Sequence, residues 1–117
     1  MIFTRGDNKS YRFVRKTTDG NIIKEPVVEM YLTVKKNSDT EDYLIQKKLS
    51  DGDILFDSSS GYYKIEFLPE DTNDLPYGRG YIYDIQIKYE QDGKIKTKTL
   101  IVDELELTKE VTFASNE

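Results

Sequence analysis

Strict alternation of apolar and polar residues over positions 81–89 limits the possible folds more than any other feature of the sequence. In the segment YIYDIQIKY the odd positions are Tyr, Tyr, Ile, Ile and Tyr, and the even positions after the first Ile are Asp, Gln and Lys. Successive side chains point to opposite faces in an extended strand, whereas a helix would scatter them around its axis. The segment therefore predicts a strand with one face on a core and the other face in water.

The same two-residue period recurs in shorter segments separated by turn residues. It predicts strands over residues 11–15, 28–35, 43–49 and 61–68, and another around residues 105–107. Asp92-Gly93 lies between two such patterns, and Asp-Gly pairs tolerate the positive φ that tight hairpin turns require. We therefore expect residues 81–90 and 94–102 to form a β-hairpin.

A short helical crossing is predicted near residues 69–75. Pro69 with Glu70 and Asp71 suits a helix N-terminus, and Pro76 and Gly78 would end the helix. Together these signals indicate an all-β fold, an antiparallel β-sandwich of about seven to eight strands, with a small barrel as the alternative. At 117 residues, the chain fits one domain over residues 1–113, followed by a flexible end at residues 114–117.

Composition excludes several classes of function. The chain has no Cys and no His, which removes disulfides, thiolate chemistry and the commonest zinc ligand and proton shuttle. Residues 49–93 carry ten acidic and three basic side chains, so nucleic acid is not expected as a partner. No apolar segment approaches the length of a membrane helix, and the N-terminus does not resemble a signal peptide. We predict no catalytic residue, metal, cofactor, membrane or small-molecule ligand.

Two short motifs invite a functional interpretation. Arg5-Gly6-Asp7 spells an integrin-binding tripeptide, but a glycine turn after a short first strand explains it more simply. Asp51, Asp53 and Asp57 suggest a calcium loop, yet the twelfth position from Asp51 is Tyr62, where a bidentate Glu would be needed. We interpret these acidic residues as turn residues.

The candidates for an interaction surface are exposed aromatic and charged residues. Three tyrosines fall outside the predicted core, and Tyr is favoured at binding surfaces. The polar face of the 81–89 strand adds Asp84, Gln86 and Lys88. Three lysines alternate along the partner strand, either as a solvated face, a guard against strand pairing, or a grip on an anionic partner. The predicted set is Tyr31, Tyr62, Tyr77, Asp84, Gln86, Lys88, Lys94, Lys96 and Lys98. The last six of these residues lie in the hairpin, which is expected to join them into one polar surface.

One pattern of strands and turns resembles a known group of proteins. Asp71-Thr72, Leu75, Gly78, the segment YIYDI, Asp92-Gly93 and Thr97, preceded by Gly6-Asp7, resemble short immunoglobulin-like β-sandwich proteins among bacteriophage and prophage structural proteins of tail, baseplate or neck type. The resemblance covers most of the chain, and Arg79-Gly80 departs from a shorter Gly-x-Tyr link. It implies that Tyr81 or Tyr83 packs against the crossing, as a tyrosine corner does.

The resemblance implies a non-enzymatic virion structural or assembly protein. Its expected partners are other phage structural proteins or further copies of itself, as a homo-oligomer. We expect synthesis in the bacterial cytoplasm, with assembly into a virion. The alternative is a carbohydrate- or cell-surface-binding module that stacks exposed tyrosines on sugar rings. A third hypothesis is an enzyme that uses carboxylates alone, but no cleft with perturbed acid–base groups is evident from the sequence.

Overall fold

The fold is mostly β, with two sheets and very little helix. The computed structural model describes residues 1–37 and 39–110, and the predicted flexible end at residues 114–117 lies outside them. The elements in chain order are β1 (Ile2–Thr4), β2 (Lys9–Phe13), β3 (Glu29–Lys35), β4 (Ile45–Lys48), β5 (Ile54–Asp57), β6 (Tyr62–Phe67), α1 (Pro69–Thr72), β7 (Gly78–Gln91) and β8 (Lys94–Thr108).

A five-stranded sheet packs against a three-stranded one. The larger sheet has the order β1-β8-β7-β3-β4 and curls into a half-barrel, and the smaller one has the order β2-β6-β5. All strand pairs are antiparallel except β1 with β8, which are parallel. The predicted all-β class, strand number and hairpin are confirmed, but the first and last strands pair in a direction that a purely antiparallel fold would not contain.

The core lies between the two sheets and takes alternate residues from their strands. In β7 the odd residues that the sequence pattern assigned to the core are buried as far as Ile87, and Tyr89 packs at the margin. The buried apolar residues are Phe3, Val27, Met30, Leu32, Val34, Ile45, Ile54, Tyr63, Ile65, Phe67, Tyr81, Tyr83, Ile85, Ile87, Leu105 and Leu107. Strand β5 was not predicted, because its first three residues, Ile54, Leu55 and Phe56, are all apolar and show no alternation.

The crossing at α1 joins the two sheets as predicted. Pro69 begins the helix, and Asp71 Oδ2 accepts hydrogen bonds from the Leu68 N–H at 2.7 Å and from Lys47 Nζ at 2.6 Å. After the crossing, Tyr81 returns to it and donates its hydroxyl hydrogen bond to the Pro76 carbonyl. Of the two tyrosines proposed for this contact, Tyr81 therefore makes it. Within the described part of the chain, no helix is long and apolar enough to cross a membrane.

Candidate functional site

The β7–β8 hairpin is the longest feature of the molecule. Its strands have 14 and 15 residues, whereas each of the other strands has seven or fewer. Fourteen residues of strand extend roughly 46 Å, and the molecule measures 54 × 33 × 27 Å. The distal part, residues 90–99, is exposed on both strands. The hairpin therefore extends beyond the core and presents backbone and side chains to solvent.

A β-bulge in β8 changes which side chains share a face. Ile85 lies opposite Ile101, but Gln86 lies opposite Thr99, so Leu100 is the extra residue. Beyond this point Lys98 lies opposite the buried Ile87. One extra residue exchanges the two faces of a strand of period two.

The two-residue turn separates the predicted polar surface into two, because it places Gln91 opposite Lys94 and each later lysine opposite an odd residue of β7. Asp84, Gln86 and Lys88 lie on the outer face of the larger sheet, as predicted. The lysines of the partner strand lie on the opposite, inner face, beyond the end of the core, since they pair with Ile87, Tyr89 and Gln91. The expectation that these six side chains form one surface is wrong, because pairing across a two-residue turn places even residues of one strand opposite odd residues of the other.

The side of β8 that faces away from β7 is open over most of its length. Strand β1 pairs only with residues 106–108, and Met1 adds backbone hydrogen bonds to Glu104 and Glu106. Within residues 1–37 and 39–110, no strand pairs with this side of residues 94–103. Three apolar side chains of this segment are exposed, namely Ile95 (56%), Ile101 (40%) and Val102 (65%). We call residues 94–103 the open edge.

Backbone groups of the open edge point alternately to β7 and to solvent. The Lys88 carbonyl accepts a hydrogen bond from the Val28 N–H at 2.8 Å. The backbone groups of even residues in β7 therefore point to β3, and those of odd residues point to β8. Lys98, opposite Ile87, therefore bonds to β7, and the backbone of Thr97 faces solvent. On the other side of the bulge, Val102 has the same orientation as Glu104, whose carbonyl faces Met1. Among residues 1–37 and 39–110, the solvent-facing donors and acceptors of the open edge have no backbone partner.

The outer face of the larger sheet holds a concavity of about 350 Å³. It is lined by Tyr31, Thr33, Lys35, Glu41, Tyr43, Gln46, Asp84, Gln86 and Lys88. Burial raises the pKa of the Asp84 carboxyl, and the charge of Lys35 opposes part of that rise. Asp84 is the member of the concavity that burial affects most clearly, and its protonation should influence stability.

We expect Asp84→Asn to be more stable than the wild type at pH 7. A carboxyl with a higher pKa in the folded chain binds more protons there, so stability falls as pH rises from about 4 through the folded pKa. The asparagine variant lacks this loss, and its advantage should disappear below about pH 4. Urea unfolding at both pH values measures the difference. Asp19→Asn, in an exposed turn, is the control. If Asp84→Asn is less stable than the wild type at pH 7, the attraction of Lys35 for the Asp84 carboxylate outweighs the effect of burial.

The three predicted tyrosines lie on separate surfaces. Tyr31 is on the outer face of the larger sheet, Tyr62 is on the smaller sheet, and Tyr77 follows the crossing. A cation lies within about 6 Å of each ring centroid. These cations are Lys48 and Lys88 at Tyr31 (5.9 Å each), Arg12 at Tyr62 (6.0 Å), and Arg5 and Lys109 at Tyr77 (5.4 and 5.5 Å). The structure does not bring the tyrosines together.

The two short motifs have structural roles. Arg5 pairs with Glu110 at 2.8 Å, and the Gly6 N–H donates to Thr72 Oγ1 at 2.8 Å, so the tripeptide is attached to the crossing. Asp57 accepts hydrogen bonds from the backbone and hydroxyl of Ser59, which lower the pKa of its carboxyl. Over the described ranges, no group of three or more acidic residues could hold a metal ion.

No protein-family model, curated protein or solved structure matches this chain. The geometry of the chain alone therefore identifies the candidate site, which is the open edge of β8. The lysines of this edge were predicted as contact residues from the sequence, whereas Ile95, Ile101 and Val102 were not. The consecutive apolar residues Leu100, Ile101 and Val102 interrupt the alternation, and this interruption was the available signal for the bulge.

Proposed function

We propose that this chain is a non-enzymatic structural or assembly subunit that acts through protein–protein contacts along the open edge of β8. The observation that carries the proposal is a run of ten strand residues, 94–103, whose outward backbone groups have no partner among the described residues and which includes three exposed apolar side chains. Such edges are templates for pairing with another chain, and lysines usually discourage that pairing; here the lysines lie within residues 94–98, and residues 99–102 carry no charge. Pairing of this kind is a common mode of recognition.

A bacteriophage or prophage assembly is the setting that we propose for this subunit. The support is the resemblance of the crossing and the β7–β8 hairpin to immunoglobulin-like tail, baseplate and neck proteins. Two sheets packed face to face, with Tyr81 bonded to the crossing, are compatible with an immunoglobulin-like sandwich. The parallel β1–β8 pair and the half-barrel curl are features that such a sandwich would have to accommodate.

Carbohydrate or cell-surface binding is the less supported alternative. Sugar stacking requires an accessible ring face, and a cation lies close to the rings of Tyr31, Tyr62 and Tyr77. The outer concavity offers a further ring, the exposed Tyr43, together with polar groups. One free ring gives little stacking area, so protein contacts along the open edge account for more of the exposed surface.

The test is incorporation into particles by a variant whose edge cannot pair. The Thr97 N–H faces solvent, so Thr97→Pro removes an edge donor without removing a bond to β7. Thr97→Ala keeps the donor and is the matched control. Particles induced from the encoding strain should contain the wild type and Thr97→Ala, and should contain at most about one-tenth as much Thr97→Pro, a loss typical of a disrupted interface.

Two outcomes would contradict the proposal. Absence of the wild-type chain from purified particles would show that it is not a virion component. Incorporation of Thr97→Pro at the wild-type level would show that the open edge does not form the contact. Circular dichroism of each purified variant checks that the substitution leaves the fold unchanged.

A further inference from the structure

We propose that the open edge pairs with the same edge of a second copy, antiparallel and about a two-fold axis, to form a homodimer. This inference rests on the proposed function and names its partner. A two-fold interface places the same surface patch of both subunits together, so the patch must complement itself. The open edge has three properties that meet this requirement: its order of charges, the faces of its side chains and the direction of its backbone groups.

The charges of the edge are segregated along the strand. Lys94, Lys96 and Lys98 occupy one half, and Asp103 with Glu104 follows the other half. Among the ion pairs between described residues, none includes any of these five side chains. Antiparallel pairing would bring the basic half of one copy opposite the acidic end of the other, twice in each dimer. Parallel pairing in register would place lysine against lysine, which is unfavourable.

The faces of the side chains restrict the possible alignments to those that pair even residues of the basic half with odd residues of the acidic half. Lys96, Lys98, Ile101 and Asp103 lie on the inner face, and Thr97 and Val102 lie on the outer face. Because opposite residues in a sheet share a face, Lys96 must pair with an inner-face residue of the acidic half. Placing Lys96 opposite Asp103 also places Lys98 opposite Ile101 and Thr97 opposite Val102. Each of these three pairs joins residues of one face, because the bulge lies between the basic half and the acidic half; the central pair, Thr99 with Leu100, falls at the bulge itself.

The backbone groups agree with the same alignment. Thr97 and Val102 both direct their N–H and C=O groups away from β7, as the hydrogen bonds of Lys88 and Glu104 establish. A pair of residues that face each other in this way can exchange two hydrogen bonds across the dimer. Burial of Val102 and Ile101 on either face of the joined sheets would add apolar contact.

Sedimentation velocity of the purified full chain over a concentration series tests the dimer. An interface of this small size predicts reversible association with a dissociation constant on the order of 10 µM. Lys96→Asp and Asp103→Lys each place like charges opposite each other twice, and each should raise the dissociation constant roughly tenfold. The double variant exchanges the two charges and should return to within about threefold of the wild type.

Lys64→Asp is the matched control, because Lys64 is exposed on β6 of the other sheet. It should leave the dissociation constant unchanged. A wild type that remains monomeric at about 100 times the expected dissociation constant, single variants that dimerise like the wild type, or a double variant that is not restored would each overturn the proposal. If the chain is monomeric but Thr97→Pro is still lost from particles, the dimer is wrong and the assembly function stands.

Discussion

Replacing Phe67 by alanine should lower the free energy of unfolding by about 3–5 kcal/mol. The Phe67 side chain has no solvent exposure and ends the central strand of the smaller sheet, on the face turned to the larger one. Its ring centroid is 5.1 Å from that of Phe3 and 6.3 Å from that of Tyr11. The alanine variant would lose these contacts and leave a cavity between strands that cannot collapse freely.

Urea unfolding measures the effect, with Leu55→Ala as the control. Leu55 lies in the same sheet but is 58% exposed, so its truncation should change the free energy by less than about 0.5 kcal/mol. Since domains of this kind are stable by roughly 5–15 kcal/mol, the Phe67 variant should retain a reduced but measurable transition. Equal effects of the two truncations would show that the sheets are not packed on Phe67.

Replacing Asp71 by alanine should lower the free energy of unfolding by about 2–3 kcal/mol. This loss is smaller than that expected for a fully buried ion pair, because the carboxylate retains some exposure. Lys47 is a buried cation, 7% exposed, and its ammonium group lies 2.6 Å from Asp71 Oδ2. The alanine variant would leave Lys47 buried without its counterion and would also remove the acceptor of the Leu68 N–H. The crossing would therefore lose both its link to β4 and its helix cap.

A double-mutant cycle separates the two losses. Lys47→Met replaces the cation by an apolar side chain of similar length, so the double variant Lys47→Met/Asp71→Ala no longer buries an unpaired charge. We expect it to regain at least about 1 kcal/mol relative to Asp71→Ala. If the two substitutions were additive, the ion pair would contribute nothing, and the effect of Asp71 would come from the Leu68 cap alone. Thermal unfolding of all four proteins provides the comparison.

The sequence predicts those parts of the fold that short-range patterns determine. Alternation identified the inner residues of β6 and β7, since burial on one face of a strand requires a period of two. Asp92-Gly93 located the hairpin turn, where Asp92 adopts a positive φ of 54° and Gly93 one of 76°. Pro69 and the acidic residues after it located the only helix in the described part of the chain.

The remainder depends on pairing between distant segments, which local patterns do not encode. The bulge at Leu100 depends on how β8 meets β7, and it places Leu105 opposite Tyr81, so that Leu105 enters the core. Val28 illustrates the same limit, because the period of β3 favoured its burial, whereas Val27 is buried and Val28 is exposed. The open edge could not be predicted, because its exposure follows from the short length of β1.

The parallel pair of β1 and β8 has a kinetic consequence. Thr4 and Thr108, which face each other in this pair, are 104 residues apart, whereas β7 and β8 are joined by a two-residue turn. Hairpins close in roughly 1–10 µs, but a contact between such distant residues must wait for the intervening chain to order. We therefore expect β1 to dock last during folding. Until it does, no other strand of the described ranges pairs with the side of β8 that faces away from β7, and the docking of β1 determines how much of that side stays open.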